Sequence, residues 1–158
     1  MLSLSLSLSF YMYIYPFFSL SLSFVQCRII ETEPERLAKL RANTVAMHRA
    51  LQKEVSLMGG KGTSDSLVLV GDEASPLKHL FLRDGSDDRV KDDRVLQTIC
   101  DSMSADSRIA VSVCDSTPLV KKAPKPSIRV TVSSGHTSAQ IAHFATSLRS
   151  AASKAFSL

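Results

Sequence analysis

Among the 158 residues of this chain, Arg129 is the one whose type and setting together could do chemistry. Ile128, Val130 and Val132 alternate with Arg129, Thr131 and Ser133. An extended strand here turns three β-branched residues to one face and the arginine to the other, beside two hydroxyls. The ordinary role of such an arginine is a surface cation, or one arm of an ion pair across a domain boundary. Other reactive types lack a chemical pattern. His136 and His143 stand seven apart, whereas a helical ligand pair uses a spacing of four. Cys27, Cys100 and Cys114 are an odd set without metal-ligand spacing, which fits a reducing compartment and no structural disulfide. His79 falls inside a strand, where a lone histidine is a packed or surface residue. Gly59-Gly60-Lys61-Gly62-Thr63 has the look of a phosphate loop, but it follows a helix instead of a strand and reads as a helix stop. The aspartates between Asp84 and Asp93 lack the alternation and terminal glutamate of a calcium loop. No glycine-flanked nucleophilic serine, zinc motif or dinucleotide fingerprint is present. The residues therefore give no catalytic, cofactor-binding or metal-binding assignment, and one binding candidate, Arg129.

The unit that positions Arg129 runs from Ser127 to Phe156: a strand, a tight turn at Ser134-Gly135-His136, and a helix. Glycine in that turn permits a backbone reversal that β-branched residues resist. Thr137 and Gln140 have capping-box spacing, so the helix is predicted to start there. Ile141, Phe144, Ala145, Leu148, Ala152 and Phe156 then make one apolar stripe. Such a unit cannot bury its faces alone, and the upstream chain must cover it.

Upstream, Thr32, Pro34 and Glu35 predict a capped helix start. Leu37, Leu40, Thr44, Met47, Leu51, Val55 and Met58 mark one face over about six turns, and Arg36, Lys39, Arg49 and Lys53 lie away from it as a solvated side, or as a basic face for a partner. Leu67 to Val70 and Leu77 to Leu82 are predicted strands around a turn at Gly71 to Pro76. Asp84 to Asp93 is predicted as an exposed acidic loop, with helix resuming around Asp92 and an apolar side of Val95, Leu96, Ile99, Cys100 and Met103. Ile109, Val111 and Val113 alternate as a third strand. Cys114 to Pro126 holds three prolines with Lys121, Lys122 and Lys125 and reads as a solvated connection. The order predicts an α+β fold with a mainly antiparallel sheet of about four strands covered by helices.

Residues 1–27 differ in kind. All 19 basic and 15 acidic side chains lie from Arg28 onward, while Leu2 to Ser9 alternates leucine with serine and Tyr11 to Tyr15 alternates tyrosine with methionine and isoleucine. A signal or membrane anchor would have an undiluted apolar run and a basic flank, and a paired strand of this composition would be an aggregation-prone edge. A CT dinucleotide repeat read in frame encodes alternating leucine and serine, and a TA-rich repeat gives tyrosine, isoleucine and methionine. The composition thus favours a mis-predicted first exon for 1–27, with a signal or anchor as the alternative, and a domain spanning 28–158.

From Arg28 onward five blocks occur in order: Ile29 to Asn43 (IIETEPERLAKLRAN), Ser75-Pro76 before a strand, Lys91-Asp92-Asp93 at a helix start, Ala105 to Ser116 (ADSRIAVSVCDS), and Pro126 to His136 (PSIRVTVSSGH). Together they resemble the small C-terminal domain of the α-oxoamine synthases, the pyridoxal 5'-phosphate (PLP)-dependent acyltransferases of the fold-type-I aminotransferase class I/II group. Within that family the similarity is greatest to the non-catalytic long-chain-base subunits of plant-type serine palmitoyltransferase. The resemblance implies condensation of serine with palmitoyl-CoA at the start of sphingolipid long-chain-base synthesis. It also implies a heterodimer with a catalytic long-chain-base subunit, and a place on the cytosolic face of the endoplasmic reticulum membrane. The cofactor lysine and its neighbours belong to the family's large domain, so no PLP is expected on this chain by itself. In catalytic members the arginine before the hydroxyl residues of the last strand pairs with the substrate carboxylate. Arg129 matches that position, and a planar guanidinium suits bidentate pairing. The family tends to carry a basic residue in the preceding loop, which Ala123 and Pro124 interrupt.

Two rival classes stand beside this reading. One is another α-oxoamine synthase, of the glycine acyltransferase type, which an upstream cofactor lysine would favour. The other is a stand-alone module whose four-stranded sheet binds RNA; it lacks the paired exposed aromatics that stack bases, so nucleic acid is not the expected partner. For the N-terminal segment, mass spectrometry of the native protein is expected to yield no peptide spanning Phe18 to Arg28, and detection of one would overturn the exon reading.

Overall fold

The structure is a computed structural model and describes residues 28–58, 66–85, 88–114 and 125–157. The described residues fall into two units, 28–38 and Lys39–Leu158. The predicted features at 1–27, the helix stop at 59–63, most of the lysine- and proline-rich connection (115–124), and residues 86 and 87 of the acidic loop lie outside the described residues.

In the first unit, residues 28–32 are helical and Thr32 Oγ1 donates to the Arg28 carbonyl at 2.8 Å. The predicted Thr32–Glu35 capping box therefore does not form. A threonine already inside a helical turn finds the carbonyl four residues back nearer than an N–H ahead of it. Helix α1 (Pro34–Met58) opens on the proline, with Glu35 as the acidic residue of its first turn.

The second unit holds the sheet. Its strands are β1 (Leu67–Val70), β2 (Leu77–Leu82), β3 (Ser112–Cys114) and β4 (Ser127–Thr131), in spatial order β1-β2-β4-β3 and antiparallel at every junction. Helix α2 (Arg89–Ser107) joins β2 to β3, and α3 (Ser138–Phe156) follows β4. The element order and the α+β class agree with the sequence pattern. Ile128, Val130 and Val132 are buried together with Leu67 and Leu80. The buried sides of α1 (Met47, Leu51, Val55), α2 (Leu96, Ile99, Cys100, Met103) and α3 (Ile141, Phe144, Leu148, Ala151, Ala152) join them in one cluster. The opposite face of the sheet, which carries His79, Arg129 and Thr131, contributes no residue to that cluster.

Local chemistry moves several boundaries. Helix α2 starts at Arg89 and not around Asp92, because the Asp88 carboxylate accepts from the amides of Val90 (3.0 Å) and Lys91 (3.4 Å) and caps the helix earlier. Asp92 is consequently buried in the helix and is no part of an exposed loop. The third strand is shorter than its alternation suggests. Arg108 ends α2 in a left-handed conformation (φ 55°, ψ 34°), the Ile109 amide closes back onto the Met103 carbonyl at 3.2 Å, and pairing with β4 begins only at Ser112. The turn after β4 does not use glycine's left-handed freedom. Among the described residues the glycine with positive φ is Gly71 (φ 137°), where an added Cβ would sit 3.0 Å from the Leu77 carbonyl oxygen.

Beside Gly71, Lys78 takes an inward position on β2, opposite Val130, and is fully buried, while Leu77 is 46 % exposed. Its ammonium donates to the carbonyls of Asp72 and Glu73, so the stem packs in the core and the head ties down the β1–β2 turn. Desolvation lowers the Lys78 pKa from its ordinary 10.5, against the attraction of Asp72 and Glu73. The unfolded chain binds that proton more tightly than the folded one, so the Lys78 contribution to stability climbs as pH rises through the window below 10.5. Lys78→Met should abolish that component of the pH dependence and change stability by less than about 1 kcal/mol, since bulk is conserved and water can serve the two exposed carbonyls. Lys78→Ala should cost about 2 kcal/mol for the lost methylenes. Denaturant unfolding of both variants across pH 8–11 checks this, and an unchanged pH slope in Lys78→Met would contradict it.

Candidate functional site

β4 is paired along both edges, and this fixes Arg129. Its Cα faces His79 of β2 on one side and Ser112 of β3 on the other, and its side chain is exposed, between buried Ile128 and Val130. The predicted non-core placement is thus observed. His79 Nδ1 lies 3.0 Å from Ser127 Oγ, and its ring stacks on Phe81 with centroids 6.1 Å apart. His79 is therefore a packed residue of this face, engaged within the sheet.

Past Arg129, β4 runs on while the chain leading into β3 departs from it, and a cleft of about 660 Å³ opens between them. The segment 107–111 forms one wall, the end of β4 another, and the first turns of α3 with Met47 of α1 complete it. Ile109, Val111, Val130, Ile141 and Phe144 give it an apolar lining. Its ionisable side chains are Arg108, Arg129, His136 and His143, and no acidic residue is among the described residues that line it.

The turn that carries His136 is held by side chains. Ser133 Oγ accepts from the Gly135 amide at 3.1 Å, and His136 Nδ1 accepts from the Ser133 amide at 3.3 Å. An Nδ1 that accepts leaves the ring proton on Nε2, so the neutral imidazole has an N–H donor free of that turn. From α1, Asn43 Nδ2 donates to the carbonyls of Ser133 and His136, each at 2.9 Å. One amide thereby clamps both sides of the turn, which hands the chain to the Thr137–Gln140 capping box: Thr137 Oγ1 accepts from the Gln140 amide at 3.2 Å and Gln140 Oε1 from the Thr137 amide at 2.9 Å. The predicted cap of this helix is present in full.

The structure brings Arg129, His136 and His143 to one cleft and leaves Cys100 and Cys114 out of it. Cys100 is buried, and burial, with Asp101 and Asp93 nearby, pushes its thiol up to about 11, which keeps it protonated and unreactive at neutral pH. Cys100 and Cys114 are free. No group of three or more His, Cys, Asp or Glu side chains that could hold a metal ion occurs among the described residues. No helix among them is long and apolar enough to cross a membrane. No lysine is among the described residues that line the cleft, and Lys78, on the core side of the sheet, has its ammonium engaged by carbonyls. Two residues that shape the cleft carry no signal in the local sequence. Asn43 acts at a separation of 90 residues and more, for which no local pattern exists. Arg108 ends a helix where glycine is the usual signal, so nothing marked its backbone as special. What the cleft can do is hold an anion against an apolar wall, with two guanidinium groups and an imidazole donor and no counter-charge among its described lining residues. No protein-family model matches the chain.

Proposed function

We propose that the chain serves as the small domain of an α-oxoamine synthase-type acyltransferase, in the non-catalytic long-chain-base subunit of serine palmitoyltransferase, and that Arg129 binds the carboxylate of an amino-acid substrate. The observation that carries this is the position of Arg129: an exposed guanidinium on the sheet face opposite the core cluster, lining an apolar cleft without a described acidic residue. A structural ion pair would call for a carboxylate opposite Arg129, and its register partners are His79 and Ser112. A substrate carboxylate fits better, because a guanidinium fork receives both oxygens and loses little hydration in doing so. The collinear sequence blocks and the four-stranded antiparallel sheet with helices support the same reading.

PLP is the cofactor of such a complex, and it supplies the electron sink for decarboxylative condensation. The described residues do not fit as its holder, since none of those lining the cleft is a lysine that could bind the aldehyde, and Lys78 is committed to the β1–β2 turn. We therefore assign the cofactor to the catalytic partner subunit, and to this chain the orientation of a carboxylate. The complex would act at the endoplasmic reticulum membrane on palmitoyl-CoA.

Co-expression should recover the native protein with a catalytic long-chain-base subunit. In that heterodimer, Arg129→Lys keeps the charge and loses the planar fork. Serine KM should rise several-fold while Tm stays within about 2 °C, because an exposed side chain contributes little to folding and the lost contact is to substrate. An unchanged serine KM would remove Arg129 from the substrate site, and active homodimers of this protein alone would overturn the non-catalytic assignment.

A further inference from the structure

Arg108 brings a second guanidinium to the cleft from a backbone position that ordinarily belongs to glycine. It follows the last turn of α2 with φ 55° and ψ 34°, and it is the one non-glycine residue with positive φ among those described. Glycine adopts this geometry freely, whereas a residue with a Cβ is uncommon there. A side chain retained in such a place points to a use for the side chain. The second observation is independent of the backbone. Arg108 and Arg129 line the same cleft, and neither guanidinium has an ion pair or hydrogen bond among the described residues. Two cations that line one concavity, with no carboxylate among its described lining residues, repel each other until a ligand brings negative charge. His136, whose Nε2 carries the ring N–H, lines the same cleft, and Ile109, adjacent to Arg108, belongs to its apolar part.

We infer that Arg108 is a second anion-binding residue, so that this cleft takes a doubly charged oxyanion group on a small apolar body: a phosphate monoester or a dicarboxylate. The inference deepens the proposed carboxylate site and rests on that reading only for the part played by Arg129. Each guanidinium can receive two oxygens, which a dianion satisfies and a monocarboxylate cannot. The apolar lining accounts for the body of the ligand, since inorganic phosphate would leave that surface wet.

The test is calorimetric titration of the full chain at pH 8 and low salt with three probes of similar apolar size: phenyl phosphate, phenylsuccinate and phenylacetate. At that pH the phosphate is doubly ionised. The dianions should bind at least about tenfold tighter than phenylacetate, the gain of one added charge-assisted contact. Whichever dianion binds more tightly identifies the source of the charge. Arg108→Gly should erase the preference while leaving phenylacetate affinity within about twofold, and its Tm should be unchanged or higher because glycine relaxes the left-handed position. Arg129→Gln should weaken all three probes. Dianions no tighter than phenylacetate, a preference that survives Arg108→Gly, or no binding of any probe would overturn the inference. If Arg108→Gly erases the preference and Arg129→Gln leaves phenylacetate binding unaltered, the Arg108 assignment stands and the carboxylate role of Arg129 falls.

Discussion

The rest of the structure depends on the two-sided constraint on β4. Three β-branched residues, Ile128, Val130 and Val132, enter the core on one face, and each fully buried side chain of this kind is worth about 1.5–3 kcal/mol. Because strand periodicity is two, a slip of one residue would carry all three to solvent and drive Arg129 into the helices. That alternative loses several kcal/mol of burial and adds an unpaired buried charge, which costs more again. Register is thereby held on both edges, and the exposed position of Arg129 follows from the packing of its neighbours.

From that fixed strand the cleft follows in steps. The chain beyond Val132 must reverse to lay α3 against the core, and the reversal is secured by Ser133, His136 and the long-range clamp of Asn43. α2 must end where its last turn meets the sheet, and the left-handed Arg108 turns the chain away from β4 before β3 can pair. The divergence of those two segments is the cleft. Surface charge pairs such as Arg49–Glu73 (3.0 Å) and Lys154–Asp106 (2.6 Å) decorate the exposed faces and are each worth less than about 1 kcal/mol. Arg149 Nη1 lies 2.9 Å from Oε2 of the buried Glu54, which links α3 to α1 by charge, although the angle is poor for a hydrogen bond.

Much of this was legible in the sequence because the deciding interactions are local. Period-two alternation identified β4, and the Thr137–Gln140 spacing identified the start of α3, with both ends of the capping box separated by three residues. Arg129 was placed on its correct face for the same reason. The features that escaped depend on distant or conformational causes. Asn43 bonds residues that only the folded chain brings near. Thr32 has capping spacing to Glu35, but the helical turn before it redirected its hydroxyl to Arg28. In β2 the exposed Leu77 and buried Lys78 invert the usual polarity, since the turn carbonyls offered the ammonium partners that sequence does not display. The length of β3 was set by Arg108, whose conformation no residue pattern announces.

The central claim is that β4 is the strand on which both the core and the site depend. Native-state hydrogen exchange measures this directly. The account predicts that the paired amides of β4 between Ile128 and Val130 exchange only through global unfolding, with the denaturant dependence of the α3 core amides from Ile141 to Leu148, while amides of the edge strand β3 exchange earlier by local opening. Exchange of the β4 amides at the β3 rate, or without denaturant dependence, would contradict it.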